Sequence, residues 1–288
     1  MISTWIQSGP ESADLPSWWD AVVLGVVEGV TEFLPISSTG HLIVAQRALG
    51  YSAGDTSNAF NIVIQIGAIT AILALYWRRL FAAAAAFRGG SGRGPNLIWQ
   101  IVIAAGPVAL VGLTLRGWLH EALFSTHVVA GALVLGGLLL LLLERYLRRR
   151  PAAGVEIAEM TYRTALLIGL WQCLALVPGT SRSGATIAGA LVLGMRRTAA
   201  AEFSFLVGLP ILYGASFFEL YTLRESLHGG LLTPLFIAAG VAFLAALVVV
   251  KPFVAFLARH DFRVFAYYRI AAGAVIFAMI FSGFLPGA

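Results

Sequence analysis

The sequence predicts an all-α polytopic membrane protein: one integral membrane domain over residues 1–288, built as an inverted-topology repeat. Each half is a re-entrant helix hairpin plus three transmembrane helices. Three observations predict it. The chain is 59% hydrophobic and only 11% charged, too little polar surface for a water-soluble globule. Six apolar runs approach or exceed the roughly 20 residues a helix needs to cross a hydrocarbon core. Two further apolar stretches, each interrupted by Pro and Gly, carry similar polar clusters at an offset of 144 positions.

In chain order, residues 18–49 read as the first hairpin, broken near Pro35, because irregular backbone at membrane depth survives only when it is buried in protein or lines a cavity. Spans follow at about 59–77, 97–118 and 128–147. Ala82 to Ala86 extends the first as a short helix, and Gly89 to Pro95 reads as a flexible cytoplasmic loop. The second hairpin covers about 164–194, and the last spans cover about 203–222, 232–257 and 264–286. Repeat one is therefore 18–147 and repeat two 161–286. Met1 to Pro16 carries acids in place of the basic and apolar regions of a signal peptide, so the membrane segments are expected to be the first targeting element. Cys173 is the sole cysteine, which excludes an intrachain disulfide and suits a small apolar packing residue.

The net charge of +5 does not point to nucleic acid, because the basic residues sit at span ends. Arg78, Arg79, Arg88 and Arg93 follow the first span, Arg145, Arg148, Arg149, Arg150 and Arg163 the third, Arg196 and Arg197 the second hairpin, and Arg259 and Arg263 the fifth span. If these connections are cytoplasmic, the other side keeps Arg47, Arg116 and Arg224, a strong positive-inside asymmetry.

Laying residue 28 on residue 172 aligns Gly25 with Gly169, Ser37 with Ser181, Thr39 with Ser183 and Gly40 with Gly184. A hairpin plus three spans crosses the bilayer an odd number of times, so the second half inserts upside down. Inverted repeats bring broken helices together near the midplane. Thr39-Gly40 and Ser183-Gly184 are expected to open the second helices of the hairpins, where free amides and the positive dipole end attract phosphate. The plainer alternative is that these small residues only let helices pack closely.

Glu28 and Glu32, four apart, share a helix face. Two charges at membrane depth would cost about 2.5 to 3.5 kcal/mol each on insertion scales. A shared proton, a nearby Arg or a divalent cation would relieve this. Pro35 is expected to end the helix, leaving Ser37, Ser38 and Thr39 in the turn with a hydroxyl free to act as nucleophile. Such a serine needs a base, and Glu32 and His41 are the local candidates. Arg182, between Ser181 and Ser183, suits bidentate phosphate binding or an internal pair with Glu28 or Glu32. Thr186, four residues on, could add a donor. Glu202, Ser204, Asn61 and Gln65 are weaker candidates for the same cavity.

The run Gly25-x-x-Glu28-Gly-x-Thr-Glu32-Phe-Leu-Pro35-x-Ser37-Ser38-Thr39-Gly40-His41 resembles the first signature of the undecaprenyl-diphosphate phosphatase family of the bacitracin-resistance type. Pro178-Gly179-x-Ser181-Arg182-Ser183-Gly184-Ala-Thr186 and Ala201-Glu202-Phe203-Ser204-Phe205 extend the resemblance over essentially the whole chain. It implies a bacterial inner-membrane enzyme that removes the terminal phosphate of undecaprenyl diphosphate, recycling the lipid carrier of peptidoglycan and other envelope polymers. It further implies that Glu28, Glu32, Ser38, His41, Ser181, Arg182 and Thr186 line the site, that Mg²⁺ or Ca²⁺ supports activity, that the site opens to the periplasm, and that the chain forms homodimers. The competing class is a lipid-phosphate or anion transporter, since inverted repeats with broken helices also build secondary carriers. A phosphatase that also moves the lipid across the bilayer combines the two.

Overall fold

A computed structural model describes residues 16–50, 55–89, 96–123, 125–149, 154–222 and 229–287. Most of the segment read for a signal peptide, and most of the loop expected at Gly89 to Pro95, lie outside the described residues. Within them the chain is helical: α1 (Trp18–Thr31), α2 (Ser38–Ala48), α3 (Asp55–Gly89), α4 (Leu97–Thr114), α5 (Arg116–Leu123), α6 (Thr126–Leu147), α7 (Tyr162–Gln172), α8 (Arg182–Val192), α9 (Arg197–Thr222), α10 (Gly229–Leu257) and α11 (Arg263–Phe281).

Among the described residues six stretches are long and apolar enough to cross a membrane: Phe60–Ala86, Leu97–Thr114, Thr126–Leu147, Arg197–Thr222, Leu232–Leu257 and Arg263–Phe281. The chain is a multi-pass membrane protein. Four boundaries differ from expectation, among them the end of the last span at Phe281 instead of 286, where Ser282 caps α11. The first span absorbs the 82–86 extension without a break. The second ends at Thr114, because Leu115 leaves helical geometry and a separate short helix begins at Arg116. The fourth begins at Arg197 instead of 203, since that arginine is held at the helix start by the buried Glu144 of α6. Both Glu144 oxygens accept from Arg197, and Oε1 also accepts from the Phe262 amide at 2.9 Å. A buried carboxylate paired and bonded this fully ties the starts of α9 and α11 to the end of α6.

The hairpin helices are too short to span. α1 has 14 residues and α2 and α8 have 11 each, which at 1.5 Å per residue gives about 21 and about 16 Å against a core of about 30 Å. α1 starts where Ser17 and Asp20 form a capping box, the Ser17 amide donating to Asp20 Oδ2 at 2.9 Å and the Asp20 amide to Ser17 Oγ at 3.2 Å. It stops at Thr31, four residues before Pro35, with Glu32 as the C-cap still in right-handed helical geometry. Pro35 therefore lies inside the turn and does not itself end the helix. In the second hairpin a 3-10 turn at Cys173–Leu176 follows α7.

α1 packs on α10 and α7 on α4, while α3 faces α9 and α6 faces α11. The first two contacts need glycine at matched positions. A Cβ on Gly25 would stand 2.5 Å from the Ala238 carbonyl oxygen of α10, and a Cβ on Gly169 would collide with the Ala104 carbonyl of α4. Between these layers lies the main core, in which Phe33, Phe203, Phe205, Ile69, Ile72 and Ile168 are fully buried. The Phe33 and Phe205 rings meet edge to face at 5.3 Å, locking the turn of the first hairpin against α9.

Candidate active site

The two hairpin tips meet. Glu32, at the end of α1, accepts from Ser38 Oγ at 2.7 Å through Oε2 and from Arg182 Nη2 at 3.0 Å through Oε1. Nucleophile candidate and base candidate come from the first hairpin, and the cation from the second. Ser183 Oγ crosses the same junction, donating to the Leu34 carbonyl at 2.9 Å. Arg182 Nη1 donates to the Ser204 carbonyl of α9 at 2.7 Å and lies 3.5 Å from Ser204 Oγ. Ser204 thus joins the site, whereas Glu202 pairs with Arg79 at 2.6 Å and Asn61 exchanges amide bonds with Gln46.

Both second helices begin from a serine in a backbone conformation that side chains rarely adopt. Ser37 has φ 69° and ψ 98°, and Ser181 has φ 73° and ψ 117°. They are the only non-glycine residues of positive φ among those described, and they occupy matched positions. Such geometry costs of order 1–3 kcal/mol per residue and persists only when the surroundings over-determine it. What it achieves is a reversal of the chain that starts α2 at Ser38 and α8 at Arg182 in the interior. The two starts differ in one respect. Ser181 Oγ caps the Gly184 amide at 3.1 Å and lies 3.0 Å from Ser183 Oγ, while Ser37 makes no side-chain cap, so the first amides of α2 keep their donors for a ligand.

Glu28 is fully buried, and neither of its oxygens has a hydrogen-bond partner. It lies within the electrostatic reach of Glu32 and Arg182. Arg182 Nε is likewise buried and unpartnered. A carboxylate stranded in this way in the protein interior calls for a proton or a cation. Among the described residues no group of three or more His, Cys, Asp and Glu could hold a metal. The donor set that exists, two neighbouring carboxylates, suits Mg²⁺, which commonly takes one or two carboxylates and completes its shell with water and substrate phosphates.

The remaining expected residues are placed as follows. His41 is not on Ser38: Nδ1 lies 2.7 Å from the Ser37 carbonyl and Nε2 2.6 Å from Tyr268 Oη, with the two rings parallel at 5.6 Å. A carbonyl only accepts, so Nδ1 carries the proton, and Nε2 accepts from the tyrosine when the ring is neutral. Of the two candidate bases, only Glu32 touches Ser38. Thr186 is fully buried, its hydroxyl 2.8 Å from the Arg182 carbonyl and 3.0 Å from Gln172 Oε1. Gly40 packs toward Leu133 and Val129 of α6, and Thr39 is half-buried in the first turn of α2. Gly184 lies beside Arg269 Nη1, where a Cβ would sit 3.2 Å away. Arg269, Tyr268 and Gly208 are the neighbours that sequence reasoning did not single out. The available signal was an arginine inside an apolar span.

Fold and site together define a helical membrane protein with a buried serine, carboxylate and guanidinium assembled from two broken helices, a class suited to phosphate chemistry. The chain belongs to the bacitracin resistance protein BacA family, whose sequence model matches residues 21–275. It is 46% identical to undecaprenyl-diphosphatase 2 of Rhodospirillum rubrum, over 94% of this chain and 97% of that one. It is 43% identical to an undecaprenyl-diphosphatase of a Psychrobacter species, covering 89% and 93%, and 42% identical to that of Lacticaseibacillus paracasei, covering 91% and 97%.

Proposed function

We infer that this chain is an undecaprenyl-diphosphatase: it hydrolyses undecaprenyl diphosphate to the monophosphate and inorganic phosphate, recycling the carrier lipid and thereby conferring bacitracin resistance. The observation that carries the reading is the Ser38–Glu32–Arg182 contact, 2.7 and 3.0 Å across the two hairpins, in a member of the BacA family.

In this mechanism the polyprenyl tail lies along apolar span surfaces and the diphosphate enters between the tips. Arg182 exchanges Glu32 for the terminal phosphate, its fork and unpartnered Nε meeting the oxygens, while the open amides of α2 take further charge. The departure of Arg182 vacates Glu32 Oε1 and leaves Oε2 on Ser38, so substrate binding itself readies the base. Ser38 Oγ attacks the terminal phosphorus in line, its proton passes to Glu32, and the bridging P–O bond breaks with its electron pair leaving on the lipid monophosphate. Water then attacks the phosphoserine, the Ser38 Oγ–P bond breaks with Oγ retaking the proton held by Glu32, and inorganic phosphate departs carrying the water's protons. Phosphoryl transfer is chiefly positioning and charge stabilisation, which is what these groups supply. A divalent cation, Mg²⁺ or Ca²⁺, would be held by Glu28 and Glu32 and would neutralise the diphosphate when bound. His41 serves here as a support for the Ser37 carbonyl.

The proposed scaffold is the inverted repeat. Its support is the matched strained serines, the matched Gly25 and Gly169 contacts, and the exchange of partners in which α1 meets α10 as α7 meets α4. A site open to the periplasm and a homodimer complete the reading. A tag placed between α3 and α4 and found on the outside would overturn the orientation, and the mass of the protein in detergent decides the dimer.

The deciding experiment is phosphate release from undecaprenyl diphosphate by purified protein in detergent, where no gradient exists to drive transport. Turnover is expected; its absence from folded protein, with and without Mg²⁺ or Ca²⁺, would favour a carrier.

A further inference from the structure

Arg269, in α11, is 1% exposed, and every acceptor it meets is a backbone carbonyl. Nη1 donates to Thr180 at 2.8 Å and Pro35 at 3.2 Å, Nη2 to Ala132 at 3.0 Å and Gly179 at 3.1 Å, and Nε to Leu133 at 3.4 Å. All five of its N–H donors point at oxygen. A guanidinium placed this deep without a carboxylate is expensive, so five carbonyls gathered from three segments need a reason.

Three of those carbonyls belong to the hairpin tips. Pro35 and Gly179 occupy matched positions at the 144 offset, and each stands two residues before a strained serine, Ser37 or Ser181. One side chain thus grips both halves at equivalent peptides, while its contacts with Ala132 and Leu133 fasten the pair to α6. In a trans peptide the N–H points opposite to the C=O. Drawing the Thr180 carbonyl onto Arg269 therefore turns the Ser181 amide away from it.

We propose that Arg269 is the positioning residue of the active site: it holds the two tips in mutual register and sustains the strained geometry at Ser37 and Ser181, so that Ser38 and Arg182 meet on Glu32. It touches neither substrate nor the reacting atoms. The proposal rests on the phosphatase reading for its kinetic consequence, and its structural consequence can be measured without it.

The test is Arg269→Lys, whose three donors cannot serve five carbonyls. The expected kinetic result is a fall in kcat per folded enzyme of at least about tenfold with KM moving far less, the pattern of a lost reactive geometry. A residue that only stabilises the fold would lower the melting temperature and yield and leave kcat per folded enzyme alone. Amide hydrogen exchange in the same variant is expected to accelerate at residues 35–40 and 179–184 together. A kcat within twofold of wild type, or acceleration at one tip only, overturns the proposal. If Arg269→Lys is not recovered folded, Gly136→Ala decides: it keeps the guanidinium but drives a methyl into Nη2 and Cζ, and the same paired exchange and kcat loss are expected. A wild-type protein that releases no phosphate would sink the phosphatase reading while leaving the exchange arm valid.

Discussion

Replacing Glu32 by glutamine removes one charge and keeps the side chain's shape, which separates the two tasks the proposed mechanism gives this carboxylate, 2.7 Å from Ser38 and 3.0 Å from Arg182. As the proton acceptor for Ser38 it should be worth about 10² to 10⁴ in rate, or roughly 2.7 to 5.4 kcal/mol of barrier. As the counterion of Arg182 it matters for stability. Both side chains are nearly buried, 6% and 11% exposed, and removing one member of such a pair costs about 3 to 5 kcal/mol. The substituted amide retains an oxygen for one donor, so the loss should fall at the low end, about 3 kcal/mol. Phosphate release read as kcat, with thermal unfolding in the same detergent, measures both. The double variant Glu32→Gln with Arg182→Met removes the stranded cation as well, and it should regain much of the stability while gaining no activity. Glu32→Gln turning over within fivefold of wild type would refute the assignment of Glu32 as base. A double variant no more stable than the single would refute the ion-pair account.

Ser38→Ala should abolish measurable turnover and any trapped phosphoserine, whereas Ser37→Ala should retain both at a reduced rate; near-normal turnover by Ser38→Ala would leave direct water attack. Arg182→Lys should lose at least about tenfold in kcat/KM, because a point charge does not replace the planar fork. Gly208→Ala would place a methyl 2.8 Å from Arg182 Nη1 and 2.9 Å from Cζ, and it should raise KM and lower kcat together without altering the spans. Glu144→Gln, in contrast, should lower the melting temperature by loosening the α6, α9 and α11 junction, with kcat per folded enzyme unchanged.

The spans and the hairpin breaks were legible because lipid imposes long apolar runs and penalises irregular backbone, and both leave compositional marks. The contact among Glu32, Ser38 and Arg182 joins residues that stand out in the sequence as polar groups within such runs. That Ser38 meets Glu32 and not His41 was not legible, since Tyr268, 227 positions away, takes the histidine's second nitrogen. Arg269 was not legible for a related reason. An arginine in the first half of an apolar span can pass for a topology signal, and only the folded chain shows its side chain directed inward onto both tips. The pairing of Arg182 with Glu32 rather than Glu28 also required three dimensions, because both carboxylates lie on one face of α1.

Under the proposed repeat, the deepest asymmetry lies at the position occupied by Glu28 in one half and Gln172 in the other. Gln172 is satisfied: its Oε1 lies 3.0 Å from Thr186 Oγ1, and its Nε2 lies 3.5 Å from the Ala104 carbonyl. Thr186 is itself the counterpart of Leu42, which brings no hydroxyl to Glu28. The second hairpin thus carries its own hydrogen-bonding partner for the amide and closes that half-site, leaving Arg182 as its contribution. The first hairpin carries no such partner, and its carboxylate stays unsatisfied. A buried group left in that state is costly, and it is tolerable where a proton, a cation or a phosphate-bound ion completes it during turnover. A carrier that presents one anion to both sides would need comparable donors from both halves. Under the proposed mechanism one hairpin brings the Arg182 guanidinium and the other brings Ser38 as nucleophile, Glu32 as base and the open Glu28 carboxylate, a division that serves bond cleavage at a single phosphorus.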